Sequence, residues 1–140
     1  MTFAVFDSAA SSVANIEQLK IPLAFATPDK LKYIRSNLLD ILREYGVARA
    51  GVRITEPNAQ RPSFDRIQIE GVIQEAFASS ALQSYFVGQI SSIAARLGRK
   101  RTEILPFVSG EKNYPGITGW SSMKPNAREA LLCAMAVANA

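Results

Sequence analysis

Residues 27–46 constrain the fold more than any other stretch of this chain. Thr27-Pro28-Asp29 supplies a hydroxyl for capping, a proline whose fixed φ suits a first helical position, and an acid for the first turn. Leu31, Ile34, Leu38, Ile41, Leu42 and Tyr45 then recur at helical spacing, and Gly46 provides the stop. The pattern predicts an amphipathic helix of about five turns. Its apolar face must be buried against another element.

The flanking segments say what that element is. Residues 3–7 read as a short buried strand, Ser8 to Ser12 as a small-residue turn, and 16–25 as one or two further strands interrupted by Pro22. The apolar segment 47–55 lies between Gly46 and Pro57, is enriched in β-branched residues and predicts a strand. Ser63 can cap a helix running to about Ala78. Gly71 inside that helix costs ~1 kcal/mol relative to alanine, which a close helix–sheet contact would explain. Leu82 to Val87 suits a short strand, and Gln89 to Leu97 a helix stopped by Gly98. Residues 99–108 hold a helical turn or two, and 109–123 are mostly loop. Pro125 to about Ala138 forms a last helix burying Ala127, Ala130, Leu131, Ala134 and Val137 or Ala138. Strands alternating with helices predict a three-layer α/β domain with a partly parallel sheet. Ligands in such sheets collect at the carboxyl ends of strands.

At 140 residues, without repeat or linker, the chain is expected to form one domain over 1–140. A hydrophobic content of 48% with 20% charged residues is that of a soluble globular protein, expected in the cytoplasm. No apolar stretch approaches the ~20 residues of a membrane span. Cys133 is the only cysteine, which excludes an internal disulfide and marks a small buried packing residue. Sixteen Lys and Arg against 12 acids leave a net charge of +4. The excess is densest at Arg96, Arg99, Lys100 and Arg101, with Lys112 and Lys124 further on, and it favours a polyanionic partner over a purely solvated face. Histidine is absent, which excludes Ser-His-Asp and Cys-His catalysis and histidine-bound zinc. Glycine-rich phosphate loops are also absent, leaving a small-ligand regulatory domain without support. Tyr85, Phe86, Phe107 and Trp120 are expected as core or loop anchors.

Chemistry in such a chain must rest on carboxylates, a lysine or a metal. Asp7 ends the first strand, Glu56 follows the segment Val52-Arg53-Ile54-Thr55, and Glu129 lies in the last helix. Singly, each has an ordinary explanation: a turn residue, an exposed strand-end acid, and an acid favoured by the dipole of a first helical turn. Jointly they would repel one another unless divalent cations sat among them.

Their order resembles that of the RuvC-type Holliday-junction resolvases, a branch of the RNase H-like nucleases. In that family a first strand ends in Asp, here Phe3-Ala4-Val5-Phe6-Asp7, and a long helix leads to a strand ending in Glu, here Val52-Arg53-Ile54-Thr55-Glu56. A helix with a Gly-Val pair follows, matched by Gly71-Val72-Ile73, then a basic segment with glycine, matched by Gly98-Arg99-Lys100-Arg101. The family's closing Asp-x-x-Asp stands here as Asn126-Ala127-Arg128-Glu129, and the Pro-Gly after the first Asp is replaced by Ser8-Ala9-Ala10. The resemblance implies a three-layer RNase H-like fold with a mixed sheet of about five strands flanked by helices. It further implies an endonuclease acting on branched DNA as a homodimer, with magnesium (or manganese in its place) held by Asp7, Glu56 and Glu129. Asn126 would be a neutral ligand or water-positioner, and Arg99, Lys100, Arg101, Lys112 and Lys124 would contact phosphates. The rival expectation is a non-catalytic nucleic-acid-binding or assembly protein with a basic face.

Overall fold

The computed structural model describes residues 1–139, which form two compact units. The first contains Met1 and Leu19–Gln89, the second Thr2–Gln18 and Ile90 onward.

In the first unit the expected long helix is present as α1, Thr27–Glu44. It buries Ile34, Leu38 and Leu42, spaced one turn apart along a single stripe. Thr27 is the first helical residue and no cap: Ala26 holds that position, and no side chain caps the helix. Pro28, which has no N–H to satisfy, does part of that work instead. Gly46 ends the helix as expected, with φ 57°, and the Val47 N–H returns to Leu42 O at 3.0 Å.

The predicted 47–55 strand is shorter, β3 at Arg49–Arg53, and is followed by α2 at Phe64–Ser79 and β4 at Ser84–Gly88. Strands β3 and β4 are parallel, in register from Arg49↔Ser84 to Arg53↔Gly88, with α2 as the crossover. Ser63 caps α2, its Oγ accepting from Arg66 N at 3.2 Å. Helices α1 and α2 pack together, and α2 packs on β3. The core of this unit is Ile34, Leu38, Leu42, Ile73, Ala76 and Phe77, rimmed by Val47, Ala50, Val52, Ile69 and Leu82 among others. Gly71 departs from expectation. It is exposed, and a Cβ built there meets nothing within 4 Å, so no close helix–sheet contact accounts for it. Gly71→Ala should therefore raise stability by about 0.5–1 kcal/mol, read as a higher denaturant midpoint at unchanged slope. A lowered midpoint would show that something packs on that face.

In the second unit β1, Thr2–Asp7, pairs antiparallel with β2, Ser12–Gln18. The register jumps from Val5↔Asn15 to Phe6↔Val13, so Ala14 is the extra residue of a bulge. Helices α3 (Ile90–Arg96), α4 (Arg101–Ser109) and α5 (Pro125–Ala138) complete this unit. The stretch 99–108 thus resolves into a full helix, and the long loop after it contains a single 3₁₀ turn at Trp120–Ser122. Helix α5 packs on β1, β2, α3 and α4. With neighbours on several sides it buries more than one stripe: Leu131, Leu132, Cys133, Met135, Ala136 and Val137 are all buried. Ala127, Ala130 and Ala134, expected inside, are only half-buried. Trp120 and Phe107 are core residues as expected, with Trp120 Nε1 donating to Phe107 O at 2.8 Å, whereas Tyr85 is exposed.

The architecture is mixed α/β, as expected, but the described strands number four, in two two-stranded sheets, and do not make one sheet of about five. Of the one or two strands expected over residues 16–25, only 16–18 are in a strand, as the end of β2, and 19–25 are not. Proline at 22 offers no N–H to a ladder, and the segment turns instead, with Phe25 N–H bonded to Pro22 O at 3.2 Å.

Candidate functional site

Asp7 ends β1 and opens the Ser8–Ser11 turn. Its Oδ1 accepts from Ala9 N at 3.0 Å and from Ala10 N at 3.1 Å, the signature of an Asx turn. Ser11 closes the turn with φ 50°. The turn role named among the ordinary explanations is therefore real, and the carboxylate that performs it is exposed and held in one orientation.

Glu129 lies beyond the first turn of α5, which carries no acid, so the helix dipole does not account for it. It is half-buried, with Oε1 fully so. Its charge reaches Cys133 one turn on: the thiol is pushed up to about 12, first by burial and then by Glu129, with Arg96 opposing. Cys133 is the inert packing residue its sequence context implied. Asn126, one turn before Glu129, is exposed. Asp7 and Glu129 thus stand on elements that pack against each other, β1 and α5, within one unit.

Glu56 belongs to the other unit. It lies three residues past the end of β3, so the strand does not end in it. It opens a turn, its carbonyl accepting from Ala59 N at 3.1 Å across Pro57-Asn58. It is half-buried where an exposed strand-end acid was the ordinary expectation. Immediately before it, Thr55 is gripped by Glu70 of α2, which accepts from Thr55 N at 2.5 Å and from Thr55 Oγ1 at 2.6 Å. Glu70 is 7% exposed and also pairs with Arg66 at 3.5 Å. Sequence reasoning passed over this residue. The available signal was a carboxylate at position 70 in register with the buried Ile73 and Phe77, where a polar group needs a partner.

Among the described residues, no three or more Asp, Glu, Cys or His side chains are gathered closely enough to hold a metal ion. The donor chemistry of Asp7, Glu56, Glu129 and Asn126 is nonetheless all hard oxygen, which suits magnesium or manganese and not zinc.

The basic residues divide into two kinds. Gly98, with φ 70°, ends α3, and Arg99 N–H bonds back to Ala94 O at 2.9 Å. The Arg99 guanidinium is half-buried and lies over Phe107 at 4.9 Å and Tyr114 at 5.3 Å, a stacking contact within the fold. Lys100, Arg101, Lys112 and Lys124 are exposed. Lys100 precedes α4, where Glu103 accepts from its N–H at 2.9 Å. Arg128, a mere spacer within Asn126-Ala127-Arg128-Glu129 by sequence, is 4% exposed and fully engaged with backbone carbonyls.

No protein-family profile matches the chain, and no curated protein does. Among solved structures it is similar to RuvC of Thermus thermophilus, at 13% identity and a TM-score of 0.60 over 91% of this chain and 76% of that one. It is likewise similar to T. thermophilus RuvC in complex with Holliday junction substrate, at 14% identity and a TM-score of 0.63 over 97% of this chain and 83% of that one. The fold is RuvC-like, as the order of residues implied, in a strongly divergent sequence. Among the described residues no helix is long and apolar enough to cross a membrane.

Proposed function

We propose that this protein is a divalent-metal-dependent endonuclease of branched DNA, resolving four-way junctions as a cytoplasmic homodimer. The observation that carries the reading is the placement of Asp7 at the end of β1 and of Glu129 on α5, two elements that pack together, in a RuvC-like fold. Asp7, Glu56 and Glu129 would hold magnesium, and Asn126 would offer a neutral oxygen one turn before Glu129. Bound magnesium would supply an activated water and neutralise charge on the departing oxygen. The protein's own contribution is orientation: the Ala9 and Ala10 amides fix the Asp7 carboxylate, and Glu70 fixes the segment leading to Glu56. Lys100, Arg101, Lys112 and Lys124 would contact phosphates; Arg99 would act behind them by stacking on Phe107 and Tyr114.

The rival reading, a nucleic-acid-binding or assembly protein without catalysis, draws on Asp7's service to the turn. One assay separates them. Wild-type protein is incubated with an immobile four-way junction and a flapped duplex, with magnesium, manganese or chelator. Paired nicks that require the metal support the nuclease. Junction binding without cutting under every metal condition leaves the binding protein.

A further inference from the structure

We propose that the outward face of α2 is the surface on which two copies of this chain meet, antiparallel, about a two-fold axis at Gly71. Helix α2 is apolar on both sides. Ile73, Ala76 and Phe77 are buried in the unit's own core, whereas Phe64 is 80% exposed and Ile67 42%, with Gly71 and Ala78 exposed at the same helical spacing. Helix α1 beside it shows the ordinary pattern, presenting Lys32, Ser36, Asp40 and Arg43 to solvent. A helix with apolar residues on opposite sides is one that packs on both. Phe64 is no frayed end: the Ser63 cap, accepting from Arg66 N at 3.2 Å, fixes the turn that carries it. Gly71 supplies the second observation. It weakens the helix, a Cβ there would meet nothing within 4 Å, and it is the residue type that lets another backbone approach closely.

Charge and size select a second copy as the occupant. Gln68, Gln74 and Glu75 share this face, and Glu75, the only charge among them, is already held by Arg35 at 2.5 Å and by Ser79. Arg66, on the flank, pairs with Glu70 at 3.5 Å. A face neutralised in this way suits an apolar partner and not a polyanion. Two copies crossing antiparallel at Gly71 fit each other. Phe64 and Ala78 lie seven positions to either side of that glycine, so each phenyl ring covers the partner's Ala78, large on small. Gln68 comes opposite the partner's Gln74 and Glu75, so the carboxylate meets an amide; a parallel pair would set Glu75 against its own copy. The contact is isologous, as a two-fold requires. One helix pair lies at the small end of specific interfaces, and the expected dissociation constant is about 1–100 μM. Two copies so joined supply the homodimer of the nuclease reading, on which the dimer's use rests; the surface itself rests on α2 alone.

Sedimentation and light scattering over a concentration series compare wild type, Gly71→Arg and Phe64→Ser. Nothing stands within 4 Å of a Cβ at Gly71, so arginine fits the monomer, while two guanidinium groups would oppose each other at the two-fold. Expected is a wild-type monomer–dimer equilibrium, weakened roughly 10-fold or more by either change. In dilute, monomeric solution Gly71→Arg, like Gly71→Ala, should raise the denaturant midpoint, which separates lost association from unfolding. Cysteine placement tests the register. Oxidised Gly71→Cys should form a disulfide-linked dimer, whereas Ala78→Cys, whose two copies would lie roughly 20 Å apart along the helices, should not. Cys133 is buried and does not interfere. A wild type that stays monomeric to millimolar concentration overturns the inference and the homodimer together. A dimer unmoved by Gly71→Arg and Phe64→Ser overturns this face alone. So does weakened junction binding by Phe64→Ser with self-association intact, which would give the face to DNA. Dimerisation through this face in a protein that cuts nothing upholds the inference and ends the nuclease reading.

Discussion

Asp7→Asn should reduce metal-dependent junction cutting by roughly 10²–10⁴-fold while leaving junction binding and thermal stability close to wild type. The reason lies in the turn that this side chain holds and in the metal that the proposed site would have it bind. An asparagine carbonyl oxygen can still accept from Ala9 and Ala10, so the turn that joins β1 to β2 survives the change. What disappears is the negative charge, which the turn does not need and a bridging metal ligand does. Asp7→Ala removes both, and should add a loss of about 1 kcal/mol to the loss of cutting. The pair of variants thereby isolates the catalytic role: if Asp7→Asn cuts as well as wild type, the residue serves only the hairpin. Parallel gel-shift and cleavage assays on one junction at fixed salt make the comparison, since binding to DNA is meaningful only at stated ionic strength.

How much of this was legible beforehand follows from the range of the forces involved. Helix α1, the Ser63 cap of α2 and the glycine stops at 46 and 98 were readable because each depends on neighbours within a turn or two of the chain. Strand lengths were less so. Residues 47–48 and 54–55 carry the composition of a strand, yet the paired strand is only Arg49–Arg53, because pairing is decided by what β4 presents. The segment around Pro22 shows the same limit in reverse: its apolar residues suggested strands, and the lack of one N–H helped turn it into a loop. At the candidate site, the order Asp7, Glu56, Glu129 was visible as a spacing, whereas the supports were not. Glu70 bonds a residue 15 positions away and Arg128 residues 19 and 20 positions away, and neither partner is implied by local pattern. Arg99 shows the same limit: in sequence it belongs to a basic run, and its stacking on an aromatic pair is visible only in space.

Arg128→Ala should be the most destabilising single change outside the apolar core, at about 3–4 kcal/mol. The side chain is a lysine-like surface residue by composition, but its guanidinium bonds Val108 O at 2.8 Å, Ser109 O at 3.1 Å and Met123 O. Two of these carbonyls belong to the last turn of α4, where a helix has no partners of its own and a cation is favoured. The third lies just before α5, so one planar group ties the end of α4 to the entry of α5. Gly110 completes the fit: it caps α4 with φ 87°, and a Cβ there would stand 3.0 Å from the Arg128 Cζ. Truncation leaves three carbonyls without their donor, and the thermal midpoint should fall by roughly 10 °C. Arg128→Lys keeps the charge but replaces a rigid fork with a single point donor, and should recover no more than about half of the loss. A double-mutant cycle with Gly110→Ala checks the geometry, because part of that glycine's cost is collision with the guanidinium and should vanish once Arg128 is alanine, leaving only the strain of positive φ. Additive losses would mean that Arg128 and Gly110 act independently, and a midpoint within 2 °C of wild type for Arg128→Ala would mean that water replaces the guanidinium at all three carbonyls without penalty.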